Sequence, residues 1–156
     1  MKFYLYIIFS ILIFTSCSRN ESTCLNSESN FEPQTEEDII KYIEDNNLDA
    51  NRTNSGLYYV IDNSGYGARP TSSSNVTVAY KGYFLDGTVF DQSSASGVAF
   101  PLNRVIPGWT EGMQLFKEGG NGILLLPSNL GYGSRGLCSI PRDAVLVFDI
   151  KLVSVN

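Results

Sequence analysis

The stretch RVIPGWTEGMQLFKEG, residues 104–119, contains the only tryptophan of the 156-residue chain, Trp109. This residue follows a Pro-Gly pair, which breaks the preceding segment, and it opens a predicted helix that ends at Gly119-Gly120. The first turn of a helix usually carries small or acidic residues, so a large apolar side chain at this position indicates a specific role. We expect Trp109 to form the floor of a pocket, with Met113 and Phe116 on the same helix face.

Strands are predicted on both sides of this helix. Residues 75–84, NVTVAYKGYF, alternate between the two faces of a strand. Asp86-Gly87 then supplies a hairpin turn, and Pro101 suits an edge strand or a bulge. We expect an α+β fold in which a curled antiparallel sheet of about four or five strands wraps around the short helix, with a ligand pocket on its concave side. Further strands are predicted in GLYYVID (56–62), VFDQS (89–93), GVAFPLN (97–103), GILLLP (122–127) and AVLVFDIKLVSV (144–155).

An N-terminal helix is predicted over residues 35–50, ahead of a sheet domain over residues 51–156. Thr35 and Asp38 form an approximate capping box at its start. Ile39, Ile40 and Ile43 fall on one face of the helix. These few apolar positions fit packing on the sheet or dimerisation, and they do not decide between the two.

The first residues are typical of a secretory signal peptide. One lysine precedes an apolar run from Phe3 to Phe14, which is shorter than the ~20 residues that span a bilayer. Cys17 comes just after small residues, an arrangement that resembles the lipobox of bacterial lipoproteins. We therefore expect a signal peptide over residues 1–16, a lipidated Cys17 and a polar, flexible tether over residues 17–34. A plain signal peptide with an incidental cysteine and an uncleaved anchor are the alternatives.

The composition excludes several classes of function. The chain has no histidine, which removes Ser-His-Asp and Cys-His catalysis, and three cysteines alone do not make a plausible zinc site. A net charge of −5 without a basic run argues against a nucleic-acid partner. No phosphate-binding glycine motif occurs, so we expect neither metal nor cofactor. With Cys17 lipidated, Cys24 and Cys138 either pair in an oxidising compartment or remain as two thiols.

Four segments closely resemble the FKBP-type peptidyl-prolyl cis-trans isomerases, in the order and spacing of that family. The resemblance covers roughly residues 56–153 and implies an FKBP-like half-barrel with isomerase activity. The segments are VAYKGYFLDGTVFDQS (78–93), PLNRVIPGWTEGMQLFKEG (101–119), LGYGSRG (130–136) and IPRDAVLVFDIKL (140–152).

The resemblance also assigns site residues. Trp109 matches the pocket floor, and the Tyr132 hydroxyl matches a group that meets a ligand carbonyl in the family. Val98 stands where the family often has Phe, which makes one pocket wall smaller, and Arg142 replaces a loop proline near the rim. The implied catalytic residues are Tyr80, Phe90, Asp91, Val105, Ile106, Trp109, Tyr132 and Phe148, and the implied substrate-binding residues are Val98, Phe100 and Ile140.

The implied activity is faster rotation about X-Pro bonds of exported proteins, at the cell envelope and without a cofactor. The residues fit this chemistry, because a twisted amide is less polar than a planar one and an apolar pocket favours it. Macrolides of the rapamycin type are further expected ligands, and the lipid anchor would provide the membrane contact. The alternatives are an FKBP-fold chaperone or binding module and an envelope accessory lipoprotein, each with little isomerase activity.

Overall fold

The structure of the protein is a computed structural model that describes residues 31–156. It confirms the predicted α+β class. The sheet has seven strands, although only about four or five were expected in it: six overlap the six predicted strand segments, and the seventh is Asn51–Arg52. A strand as short as the two residues Asn51–Arg52 leaves too little periodic pattern to detect in a sequence. The helices are α1 (Glu36–Asp45) and α2 (Pro107–Met113), and the strands are β1 (Asn51–Arg52), β2 (Tyr58–Asn63), β3 (Asn75–Tyr83), β4 (Val89–Gln92), β5 (Val98–Pro101), β6 (Asn121–Leu126) and β7 (Leu146–Val155).

All of these strands join one antiparallel sheet in the order β1-β2-β6-β7-β3-β4, and β5 also pairs with β3. The predicted alternation of β3 is confirmed, since Val76 and Val78 are buried and Lys81 is exposed. One edge of β3 pairs with β7, while its other edge pairs first with β5 and then with β4. The predicted hairpin turn joins β3 to β4, and the Asp86 side chain accepts a hydrogen bond from the Thr88 N–H at 2.8 Å.

The inner face of the sheet packs on α2. Trp109, Met113 and Phe116 are all buried, as their predicted common face requires. Burying an apolar side chain of this size contributes about 1.5–3 kcal/mol relative to leaving it exposed. This cluster therefore forms the main core and fixes the helix inside the curled sheet. The inward residues of β6 and β7 that contribute to it are Leu124, Leu126, Leu146, Phe148, Ile150 and Leu152.

Helix α2 ends at Met113, earlier than the predicted stop at Gly119-Gly120. Backbone N–H groups just beyond it donate three residues back, which tightens the last turn. Arg69 then donates from Nη1 to the carbonyls of Gln114 and Leu115, at 2.7 and 2.9 Å. These bonds satisfy the carbonyls of the two residues that directly follow the helix. Arg69 lies 45 positions before Gln114, so the residues around the end of the helix do not predict this contact.

Helix α1 packs on the outer face of the same sheet. Ile39 is fully buried there, in a second cluster with outward residues of β2 and β7 such as Tyr58 and Val147. The predicted capping box is present, and the Thr35 N–H donates to Asp38 Oδ2 at 2.7 Å. The sequence left the contact surface of this helix open, and the structure shows that it packs on its own domain.

Glu36 links α1 to the first two strands through hydrogen bonds. Its Oε1 accepts hydrogen bonds from the Tyr58 hydroxyl at 2.6 Å and from Arg52 Nε at 2.7 Å. The Tyr58 bond, followed by the Arg52 bond, lowers the pKa of the Glu36 carboxyl below its usual 4.5. The ionised carboxylate is thus the form that holds the helix in place.

Residues 31–34, the end of the predicted tether, also contact the domain. The rings of Phe31 and Phe84 lie 6.5 Å apart between centroids. The Gln34 side-chain oxygen accepts a hydrogen bond from the Val145 N–H at 2.8 Å. Residues of the predicted tether that directly precede the helix therefore contact the sheet domain.

The predicted signal peptide (1–16), the lipidation of Cys17 and the position of Cys24 lie outside the described residues. Within residues 31–156, neither helix has the length and hydrophobicity that a membrane crossing requires.

Candidate active site

A cavity of about 600 Å³ lies on the inner side of the sheet, next to α2. This volume is within the ~300–1,000 Å³ typical of small-ligand pockets. The structure brings all eleven residues predicted from the sequence into its lining, although they come from distant segments of the chain. They are Tyr80, Phe90, Asp91, Val98, Phe100, Val105, Ile106, Trp109, Tyr132, Ile140 and Phe148, and the other lining residues are Arg104, Leu137, Cys138 and Ser139.

Trp109 is held rigidly in this lining. It sits in the first turn of α2, which Pro107 starts, and only 5% of its surface is exposed. Its indole lies 5.0 Å from the Tyr80 ring and 5.2 Å from the Phe148 ring, with interplanar angles of 88° and 89°. Phe100 packs on it at 5.3 Å. Such pairs contribute about 0.5–1.5 kcal/mol each beyond area burial, so they stabilise this orientation of the indole.

Gly82 allows two aromatic walls to approach β3, a role that the sequence reasoning missed. A Cβ at this position would lie 2.7 Å from Phe90 Cε2 and 2.8 Å from Phe148 Cε1. Real carbon contacts are ~3.5–4.0 Å, so no larger residue fits without moving the rings. The Phe90 and Phe148 rings meet edge to face at 5.5 Å. The glycine in the alternating pattern of β3 was the available signal.

The Tyr80 hydroxyl and the Asp91 carboxylate form a polar pair at the cavity. Tyr80 donates to Asp91 Oδ2 at 2.6 Å across the β3–β4 pairing. The same segment is fixed by the Ser93 hydroxyl, which accepts from the Tyr80 N–H at 2.9 Å. Burial, and then the bond to Asp91, raises the pKa of Tyr80 to about 12. Tyr80 therefore stays a neutral donor, and its partner carboxylate is oriented towards it.

Two hydrogen-bond donors in the lining have no acceptor among the described residues. The Tyr132 hydroxyl makes no hydrogen bond within residues 31–156, and burial, followed by the charge of Asp91, raises its pKa. The Ile106 N–H precedes the first turn of α2, and no described group accepts from it. Both groups are therefore available to carbonyl oxygens of a ligand.

The rim combines Val98, which the sequence assigned to the site, with Leu137, which it did not. Leu137 and Val98 are 52% and 47% exposed, so the rim is largely apolar. A two-residue bridge holds the loop, in which the Leu137 and Ile140 backbones exchange hydrogen bonds at 2.9 and 2.8 Å. Arg142, expected near the rim, is absent from the cavity lining, and the positively charged residue of the lining is Arg104.

Cys138 lies on the same loop and takes part in a disulfide bond. Its φ of 49° is in the left-handed region, where residues other than glycine are uncommon. The other two cysteines of the chain, Cys17 and Cys24, are outside the described residues.

The lining as a whole suits an apolar ring that carries carbonyl groups on either side. Among the described residues of the lining, Asp91 and Arg104 are the only charged ones, and the rest is dominated by aromatic and aliphatic side chains. The fold and the cavity thus define a small α+β domain with an apolar cavity, whose lining contains the Trp109 indole and two hydrogen-bond donors that no described group accepts from.

Comparison with known proteins identifies this class. Residues 67–153 match the family model described as FKBP-type peptidyl-prolyl cis-trans isomerase. The match covers more than half of the 156 residues, so the chain belongs to this family, as its motifs indicated.

Individual relatives agree with this assignment. The probable FKBP-type peptidyl-prolyl cis-trans isomerase FkpA of Neisseria meningitidis is 54% identical over 107 residues, which are 67% of this chain and 39% of that protein. The FKBP-type 22 kDa peptidyl-prolyl cis-trans isomerase of Escherichia coli is 43% identical over 121 residues, 74% of this chain and 59% of the relative. The chain thus spans only about two fifths to three fifths of the length of these relatives.

Solved structures give the same result. The crystal structure of FkpA from Escherichia coli superposes with a TM-score of 0.71 at 36% identity, covering 77% of this chain and 58% of that one. A peptidyl-prolyl cis-trans isomerase from Pseudomonas syringae superposes with a TM-score of 0.68 at 29% identity, covering 81% of this chain and 98% of that one.

Proposed function

We propose that this protein is a peptidyl-prolyl cis-trans isomerase that accelerates rotation about X-Pro bonds in exported proteins. The observation that carries the proposal is the cavity around Trp109, in which aromatic rings are locked against one another and charged residues are few. Membership in the isomerase family supports it.

The physical basis is a difference in polarity along the reaction. Rotation about an X-Pro bond breaks amide resonance and faces a barrier of roughly 18–20 kcal/mol. The twisted transition state has lost the charge separation between nitrogen and oxygen, so an apolar, water-excluding pocket disfavours the planar amide more than the twisted one. Each ~1.4 kcal/mol of this preference accelerates rotation tenfold.

The lining residues have different roles in this mechanism. The Trp109 indole supports the prolyl ring, and Phe90, Phe148 and their apolar neighbours exclude water from it. The Tyr132 hydroxyl and the Ile106 N–H donate to the carbonyls on either side of the ring. Asp91 holds the Tyr80 hydroxyl and takes no proton from the substrate.

Exchange NMR on an X-Pro tetrapeptide tests this function without a coupling protease. The full-length protein, purified in a mild non-ionic detergent, should accelerate cis-trans exchange catalytically. The Tyr132→Phe variant removes one carbonyl donor and should lower kcat/KM about three- to tenfold, since a hydrogen bond contributes about 1 kcal/mol net.

Tyr66→Phe is the matched control, because it deletes the same atom from a tyrosine that is 90% exposed and does not line the cavity. Its kcat/KM should equal that of the parent protein. Peptide binding without any acceleration of exchange would contradict the isomerase proposal and favour the binding-module alternative.

We also propose that the protein is anchored in the cell envelope through a lipid on Cys17. The support is the sequence alone: an apolar run shorter than a bilayer span, followed by small residues and the cysteine. Mass spectrometry of the mature protein should show a lipid adduct that Cys17→Ala abolishes. An unmodified terminus would return the interpretation to a plain signal peptide.

Two further proposals follow from the same residues. Lipidation of Cys17 leaves Cys24 as the partner of the Cys138 disulfide, and non-reducing peptide mapping should recover that pair. Rapamycin-type macrolides should compete with peptides for the cavity, and a folded protein that shows no macrolide binding would contradict this.

A further inference from the structure

Arg104 lines the cavity but has no part in the reaction scheme above. It is exposed, and it ends the short 3-10 turn Leu102–Arg104 that follows β5. Val105 and Ile106 of the cavity wall come directly after it. Arg104 therefore borders the cavity from a solvent-exposed position.

No carboxylate in the described part of the chain pairs with Arg104. The ion pairs found within residues 31–156 are Lys41–Asp45 and Arg52–Glu36, both remote from the cavity lining. Asp91, the one acidic residue in the lining, instead accepts the bond from the Tyr80 hydroxyl. The chain carries 16 acidic residues, yet its cavity arginine remains available to an acid from outside.

We infer that Arg104 selects substrates that carry an acidic side chain next to the proline. The inference rests on the proposed isomerase function and specifies its substrate class. A guanidinium presents a planar set of donors that matches a carboxylate, and it stays charged at every physiological pH. Val98 and Leu137, the exposed apolar rim residues, provide contacts for the methylene groups of a glutamate.

The expected preference is modest, because Arg104 is exposed to solvent. An exposed ion pair gives an advantage of about two- to fivefold over a neutral isostere. Salt screens such a pair, so the preference should shrink between low ionic strength and about 1 M salt.

The test compares six peptides by exchange NMR and by binding, with the full-length protein in non-ionic detergent. Three carry Glu, Gln or Lys directly before proline, and three carry the same residues directly after it. Because Trp109 is the chain's only tryptophan and lines the cavity, its fluorescence reports peptide binding independently of turnover.

Variants of Arg104 test whether this residue causes the preference for acidic peptides. Arg104→Gln should abolish the discrimination between Glu and Gln, and Arg104→Glu should reverse it in favour of Lys. Lys151→Glu makes the same change in net charge, but Lys151 is an exposed residue on the opposite face of β7. This control should keep the preference of the parent protein.

Each outcome decides between the two proposals. Equal rates and affinities for Glu and Gln peptides at both positions, with normal turnover, overturn the Arg104 inference and leave the isomerase intact. A preference for Glu in binding without accelerated exchange supports the inference and refutes the isomerase. A loss of preference in Lys151→Glu as large as in Arg104→Glu assigns the effect to overall charge and overturns the inference.

Discussion

Substituting Gly82 by alanine should lower the activity of the cavity more than it lowers the stability of the fold. The added Cβ would lie 2.7 Å from Phe90 and 2.8 Å from Phe148, against ~3.5–4.0 Å for carbon atoms in contact. Both rings must therefore retreat by roughly 1 Å. Overpacking of this kind costs about 1–3 kcal/mol in the free energy of unfolding. Displacing two cavity walls by this distance should lower kcat/KM about tenfold or more.

Urea denaturation and exchange NMR on the same preparation separate the two effects. Gly87→Ala is the matched control, because Gly87 has a φ of +85° and nothing within 4 Å of the added Cβ. Backbone strain should cost this variant about 1–2 kcal/mol of stability, while its kcat/KM remains that of the parent. If Gly82→Ala retained full activity, or if both variants lost activity in proportion to stability, the packing argument would be refuted.

Two predictions concern pH. The pKa of Tyr80 rises from 10.0 in the unfolded chain to about 12 in the fold, so its contribution to stability is complete below pH 10 and is lost between pH 10 and 12. The alkaline loss of stability should be shallower in Tyr80→Phe. The pKa of Glu36 is lowered from 4.5, so its contribution is present above pH 4.5 and is lost as the pH falls further. Acid denaturation of Glu36→Gln should lack this component, and an unchanged acid profile would show that the bonds to Tyr58 and Arg52 do not hold α1.

The sequence predicted the elements whose signals are local. The alternation of residues 75–84, the Asp86-Gly87 turn and the capping box at Thr35 each lie within a few neighbouring residues, and the structure has all of them. The cavity lining required more, since its residues come from distant segments. The grouping of these residues was predicted from the resemblance to a family, because members of a family share the tertiary arrangement of their site residues.

The features that the sequence did not predict depend on contacts between distant residues. Helix α2 ends at Met113, and the Arg69 guanidinium donates to the carbonyls of the next two residues, a contact that the sequence near residue 113 does not show. The surface covered by α1 depends on Glu36 meeting Tyr58, 22 positions away. The position of Arg104 in the cavity depends on how the turn after β5 enters α2.

The most direct test of the account is kcat/KM for X-Pro exchange in the Trp109→Ala variant. If the indole supports the prolyl ring while the amide twists, kcat/KM should fall at least about tenfold in protein shown to be folded by circular dichroism. A substitution of this kind also lowers the free energy of unfolding by about 3–5 kcal/mol. The assay is therefore run at temperatures at which the variant remains folded. A folded variant with the kcat/KM of the parent protein would contradict the account.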